Sequence, residues 1–165
     1  MSVKKKDRHI SMNEPLGKAR TLMNQILLLT HPREFDSQGK QTRKPGLLGE
    51  GQAFQAFGLD ILNCGKRIHA ACYQAGEINL HDKESFEART KYHKDAIAYC
   101  DSIFRLLDIC TFQYASKSQK KKKSFFCVAR LTKEVKTSIQ ERMNRDKLIY
   151  ENKYITPKRN YRRGR

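Results

Sequence analysis

The 165-residue chain lacks several features that define common protein classes. It has no tryptophan, only four prolines and only nine glycines, so it is neither collagen-like nor a low-complexity linker. No apolar run approaches the roughly 18 residues that indicate a membrane span. No apolar segment of a secretory signal follows the charged N-terminus. These absences predict a soluble, cytoplasmic protein. The length of the chain predicts one domain, since a domain holds about 150 residues.

Acidic residues are scarce relative to basic ones. The chain has 34 Lys and Arg against 17 Asp and Glu, which gives a net charge of +17. The excess lies outside residues 59–110, since that segment has seven basic and eight acidic residues. A concentrated positive field steers phosphates and releases their counterions, so this pattern favours a polyanionic partner. A solubilising surface is the alternative, and a membrane surface is disfavoured because no basic helix shows the bulky apolar face of an interfacial anchor.

Four segments show the apolar period of an amphipathic helix, and none alternates with the period of a strand. The predicted helices run from about Leu16 to the residues before Pro32, from Leu48 to Gln74, from Lys83 to Tyr114 with Asp82 as N-cap, and from the lysines after Ser118 to Tyr150. Residues 32–46 read as a loop. The sequence therefore predicts an all-α, antiparallel four-helix bundle over residues 12–150. A basic arm at 1–11 and a basic, flexible tail at 151–165 complete the predicted organisation.

No set of residues indicates catalysis or a bound metal. None of the five cysteines forms a CxxC pair, and most fall on the apolar stripes, where a free thiol packs as a small hydrophobe. His69 and Cys72 have the spacing of zinc ligands on one helix, but a second pair is missing. No glycine-rich phosphate loop precedes a helix. We therefore expect no enzyme activity, no cofactor and no metal.

Aromatic residues lie beside the basic runs. Phe125 belongs to the apolar stripe of the fourth helix and is expected in the core, although bases can stack on rings that lie near cations. Tyr150, Tyr154 and Tyr161 alternate with basic residues in the tail and are candidate stacking residues.

The predicted nucleic-acid contacts are basic side chains of the fourth helix and the tail, which would hold phosphates electrostatically. They are Lys120, Lys121, Lys122, Lys123, Lys133, Lys136, Arg142, Arg145, Lys147, Lys158, Arg159, Arg162, Arg163 and Arg165.

Two stretches carry a family resemblance: residues 86–108, with the sequence FEARTKYHKDAIAYCDSIFRLLD, and residues 135–139, with the sequence VKTSI, followed by Asp146. They resemble the last two helices of accessory variability determinant (Avd) proteins, small four-helix bundles encoded beside reverse transcriptases in diversity-generating retroelements. The resemblance implies a non-catalytic, basic, barrel-like homopentamer. It also implies binding to the reverse transcriptase and to template RNA, or an RNA/DNA hybrid, in support of mutagenic cDNA synthesis.

Two other functions fit the same residues. One is a structural four-helix bundle associated with RNA or the ribosome and lacking a polymerase partner. The other is a protein-binding adaptor whose charge serves solubility. An adjacent reverse transcriptase gene would favour the retroelement function, and co-purifying RNA would argue against the adaptor.

Overall fold

A computed structural model of the protein describes residues 14–115 and 118–155. Four long helices, α1 Glu14–Thr30, α2 Leu59–Glu77, α3 Lys83–Cys110 and α4 Gln119–Tyr150, form an antiparallel bundle. A helical turn at Gly51–Ala53 and a π-helical turn at Phe54–Gly58 lead into α2, and π-helical turns at Thr111–Ala115 and Glu151–Ile155 extend α3 and α4. The predicted all-α four-helix bundle is confirmed. The predicted N-terminal arm and residues 156–165 of the predicted tail lie outside the described residues.

The core lies along the bundle axis. Helix α1 packs against α2 and α4, and α3 packs against α2 and α4. Each helix contributes apolar residues at spacings of three and four, which place them on one face. The fully buried ones include Leu22, Ile26, Ile61, Ile68, Ile103, Phe125, Val135 and Ile139. Complete burial of one such side chain contributes about 1.5–3 kcal/mol. Among the described residues, no helix is long and apolar enough to cross a membrane.

The start of α3 is fixed by a capping box. The backbone N–H of Ser85 donates to Asp82 Oδ1 at 2.8 Å, and the backbone N–H of Asp82 donates to Ser85 Oγ at 3.1 Å. These bonds satisfy donors that a helix leaves unpaired at its N-terminus, and the bonds from Ser85 lower the pKa of Asp82. The predicted N-cap is confirmed.

Residues 32–46 contain a short hairpin that the sequence did not predict. Strand β1 (Glu34–Phe35) pairs antiparallel with β2 (Gln41–Arg43), and Gly39 adopts a φ of 73° in the turn. Asp36 Oδ1 accepts hydrogen bonds from the backbone N–H groups of Gln38 and Lys40. Strands of two and three residues are too short to show an alternating pattern, so the sequence indicated a loop.

The segment after the hairpin docks onto the end of α1. The backbone N–H of Gly46 donates to the His31 carbonyl at 3.0 Å, and that of Leu48 donates to the Leu29 carbonyl at 2.9 Å. Leu48 is fully buried. A Cβ at Gly46 would overlap the Leu29 carbonyl, so only glycine permits this approach. The docking holds residues 44–47 beside the start of α4.

Candidate nucleic-acid interface

One end of the bundle brings together three segments, of which the start of α4 is rich in lysine. The last turn of α1, residues 45–47 and the first turns of α4 surround a cavity of about 510 Å³. We call this the basic end: residues 25–31, 44–47 and 118–124. The residues lining the cavity are Gln25, Leu28, Leu29, His31, Pro45, Gly46, Leu47, Ser118, Lys121 and Ser124.

His31 holds the basic end together. Its Nδ1 lies 2.7 Å from the Leu28 carbonyl oxygen, and its Nε2 lies 2.6 Å from the Lys44 carbonyl oxygen. Carbonyl oxygens only accept hydrogen bonds, so the ring donates to both when both of its nitrogens are protonated.

The lysine run begins α4 at this end. Ser118 is the N-cap, and its side chain accepts a hydrogen bond from the backbone N–H of Lys121. Lys121 and Lys123 are exposed, Lys122 is half-buried, and none of the three forms an ion pair with another described residue. Lys120 belongs to the same turn, and the structure describes its backbone only.

These lysines occupy the positive end of the α4 dipole. Cations there are disfavoured, and the first turn contains no acidic residue to offset them. The same helix terminus presents unpaired backbone N–H groups, which favour anions. The lysine run therefore opposes helix stability while it creates a strong positive potential.

The two phenylalanines after the run differ in environment. Phe125 is 1% exposed and belongs to the core, as predicted, whereas Phe126 is 70% exposed. Phe126 and Lys122 line a largely apolar groove of about 400 Å³ between α3 and α4, together with Phe104. An exposed ring and a cation thus lie side by side at the edge of the basic end.

The other predicted contacts on α4 lie in different surroundings. Lys133 is exposed without an ion pair to another described residue, whereas Lys136 Nζ donates to Asp101 Oδ1 at 2.6 Å. Arg145 lies 3.8 Å from Glu14, and Lys147 lies 3.8 Å from Glu151. The predicted contacts Lys158, Arg159, Arg162, Arg163 and Arg165 lie outside the described residues.

Arg142 is part of a buried ion cluster between α3 and α4. Its Nε donates to Asp146 Oδ1 at 3.0 Å, and Arg89 Nε lies 3.0 Å from Asp146 Oδ2. The side chains of Arg142, Asp146 and Arg89 are 12%, 4% and 8% exposed. A guanidinium held this way is committed to the interior, so we remove Arg142 from the candidate interface. Arg89 also belongs to this cluster and was not predicted as a site residue. It lies three residues after Phe86, a spacing that places it on the apolar face of α3.

His93 packs beside this cluster as a neutral side chain. It is buried, and its Nδ1 has no hydrogen-bond partner among the described residues. Burial, together with the nearby Arg89 and Arg142 guanidiniums, lowers the pKa of His93 to about 4. Burial also raises the pKa of Asp146, against the opposing effect of the same two guanidiniums.

Two predicted stacking residues pack at the opposite end from the lysines. The Tyr150 ring stacks on Phe86 with centroids 4.5 Å apart, and the Tyr154 ring lies 5.3 Å from Tyr150. The Tyr154 hydroxyl donates to the His81 carbonyl. Helical structure therefore continues through Ile155, into the region predicted to be a tail, because these rings have partners on α3 and before it. Tyr161 lies outside the described residues.

The cysteines are core thiols, as predicted. Cys72, Cys100 and Cys110 are buried, and all five cysteines are free. Burial raises the pKa of Cys72 and Cys100 to about 12 and that of Cys110 to about 11, so these thiols stay protonated. Within residues 14–115 and 118–155, no group of three or more His, Cys, Asp or Glu residues could hold a metal ion.

No known protein family, curated protein or solved structure matches this chain. What the interface can do therefore follows from its own chemistry. Ammonium groups at the positive end of a helix attract phosphate, and an exposed ring beside them offers a face for a base. Neither interaction reads base edges, so the basic end is suited to nucleic acid with little sequence preference.

Proposed function

We propose that the protein is a non-catalytic, nucleic-acid-binding subunit that holds template RNA, or an RNA/DNA hybrid, for a retroelement reverse transcriptase in the cytoplasm. The observation that carries the binding proposal is the lysine run at the start of α4. These cations lack ion pairs to described residues and oppose the helix dipole, so they cost stability in the free protein. A polyanion would convert that cost into binding free energy.

The proposed protein partners are the reverse transcriptase and further copies of this chain. By resemblance, these copies form a pentamer. This part rests on the resemblance of residues 86–108 and 135–139 to Avd proteins. Exposed apolar side chains at the end of α3 and in the turn after it support a protein contact, since clustered apolar surface marks interaction sites. Ile109 on α3 is 45% exposed, and Phe112 in the following π-helical turn is 80% exposed.

Salt dependence tests the nucleic-acid proposal. The wild-type protein is titrated into fluorescent, unstructured RNA at several sodium chloride concentrations, and the dissociation constant is measured by anisotropy. On a single strand, a protein that neutralises about 6–10 phosphates loses about 300-fold to 15,000-fold in affinity between 50 and 200 mM salt. An affinity that does not change with salt would contradict the proposal.

Co-expression tests the polymerase partnership. The chain is expressed with the reverse transcriptase and structural RNA encoded beside it, and size-exclusion chromatography with light scattering gives the composition and mass of the complex. We expect the three components to elute together. RNA binding without any polymerase complex would instead favour the structural, RNA-associated bundle.

A further inference from the structure

A second cationic site lies along the bundle, on the outer face of α1 and α2. The two helices approach closely at Gly65, where an added Cβ would lie 2.7 Å from Ile26 Cδ1 and 3.2 Å from the Met23 sulfur. Beside this contact is a groove of about 410 Å³ lined by Arg20, Met23, Asn24, Lys66 and His69. Its polar groups come from both walls, with Arg20 on α1 and Lys66 on α2.

The charges of this groove are not balanced by the protein. No carboxylate is among the lining residues. Arg20 and Lys66 are exposed, and neither forms an ion pair with another described residue. By contrast, Lys18, on α1 two residues before Arg20, is paired with Glu14 at 2.8 Å. The groove therefore concentrates positive charge where α1 and α2 offer no compensating acid.

An exposed aromatic ring follows the groove residues along α2. Tyr73 is 49% exposed and follows His69 by four residues, which places both on one face of the helix. Unpaired bases stack on such rings, and cations next to the ring hold the adjoining phosphates. A base in a duplex does not present its face in this way, so the combination favours a single strand.

We propose that the α1–α2 groove binds the sugar–phosphate backbone of single-stranded nucleic acid, with Arg20 and Lys66 on phosphates and Tyr73 beneath a base. This inference rests on the proposed function, which it deepens by adding a second contact for the same strand. The groove lies on a different pair of helices from the groove of Phe104 and Phe126, so the two sites can be tested separately.

The experiment uses the full chain and a fluorescent 20-nucleotide oligouridylate. The variant Arg20→Gln/Lys66→Gln removes the groove cations, and Lys91→Gln/Lys94→Gln removes the same charge from exposed positions on α3. Each phosphate contact on a single strand contributes about 0.7 to the slope of log affinity against log salt. Loss of two contacts should therefore weaken binding about 25-fold at 0.1 M salt and reduce the slope by about 1.4. Because only net charge changes in the α3 variant, its affinity should stay within about threefold of wild type.

Tyr73→Leu provides a measurement that charge does not affect. Loss of a stacked base should weaken binding about fivefold or more and leave the salt slope unchanged. Equal affinities for the groove variant and the α3 variant would overturn the proposal, and wild-type affinity in Tyr73→Leu would overturn the stacking contact. A wild-type protein with no salt-dependent RNA binding would overturn both the groove and the proposed function. Salt-dependent RNA binding that requires the lysines of α4 but not Arg20 or Lys66 would overturn the groove proposal and leave the proposed function intact.

Discussion

The lysines that begin α4 and the cations at the other end of the bundle differ in their partners. At the basic end, the lysines that begin α4 have no described acidic partner and oppose the helix dipole. At the other end, which we call the ion-paired end, Asp146 holds Arg89 and Arg142 in the interior, and Glu14 lies within 4 Å of Arg145. Helix α4 runs from one end to the other, so a single helix contains both arrangements.

This difference separates cations that stabilise the fold from cations left for a ligand. A buried cation without a partner is costly, so the guanidiniums of the interior require Asp146. An exposed lysine has no such requirement, and its position is free to serve binding. Net charge alone therefore overstates the interface, because part of the positive charge of α4 is already neutralised within the protein.

The largest expected effect on stability comes from the buried carboxylate. Asp146→Asn removes the charge of the carboxylate that the Arg89 and Arg142 guanidiniums share, and the loss of one partner of a buried pair costs about 3–5 kcal/mol. Glu134→Gln, which disrupts the exposed pair with Arg130, should cost less than about 1 kcal/mol. Urea denaturation followed by circular dichroism measures both. Similar losses for the two variants would contradict the distinction between a buried ion cluster and an exposed ion pair.

The next effect is a loss of stability in acid caused by His93. Its folded pKa of about 4 lies below the ordinary value of 6.5, so the unfolded chain binds the proton more readily. Stability should fall as the pH decreases from 6.5, by about 3 kcal/mol at pH 4. His93→Gln should remove this part of the pH dependence, while the titration of Asp146 remains in both proteins. Parallel stability curves for the two proteins would contradict the assignment.

A smaller effect is expected where the loop docks at the basic end. In Gly46→Ala the new Cβ meets the Leu28 and Leu29 carbonyls, and overpacking of this kind costs about 2 kcal/mol. Gly17→Ala is the matched control, since nothing lies within 4 Å of an added Cβ there. That change should stabilise α1 by about 0.5–1 kcal/mol, because alanine favours a helix. Thermal unfolding measures both changes, and the same sign for both would argue against the docked loop.

Much of the fold was predictable because it depends on local patterns. The apolar spacing of α3, the cap at Asp82 and the core position of Phe125 all follow from neighbours along one helix. The hairpin between α1 and α2 was missed because its strands are too short to show a period. The helical structure after Tyr150 was missed because it depends on ring contacts with Phe86, which is distant in sequence.

The candidate site was predictable only as a charge distribution. The lysine run could be recognised from residue type alone. The sequence did not reveal that Arg142 points to Asp146 on its own helix and meets Arg89 across the bundle. Nor did it reveal the α1–α2 groove, since Arg20 and Lys66 are 46 positions apart in the chain. Ion pairs between helices determine which cations remain available to bind a ligand. The apolar period of the sequence does not predict those ion pairs.

The comparison of the two ends is tested most directly by two triple variants with equal charge. Lys121→Gln/Lys122→Gln/Lys123→Gln changes the basic end, and Lys18→Gln/Lys83→Gln/Arg130→Gln changes three ion-paired cations outside the candidate interface. Affinity for the oligouridylate is measured at 0.1 M salt. Loss of three phosphate contacts predicts about 100-fold weaker binding for the first variant. For the second, we expect less than about threefold, because screening limits the effect of distant charges. Equal losses would contradict a binding surface located at the basic end.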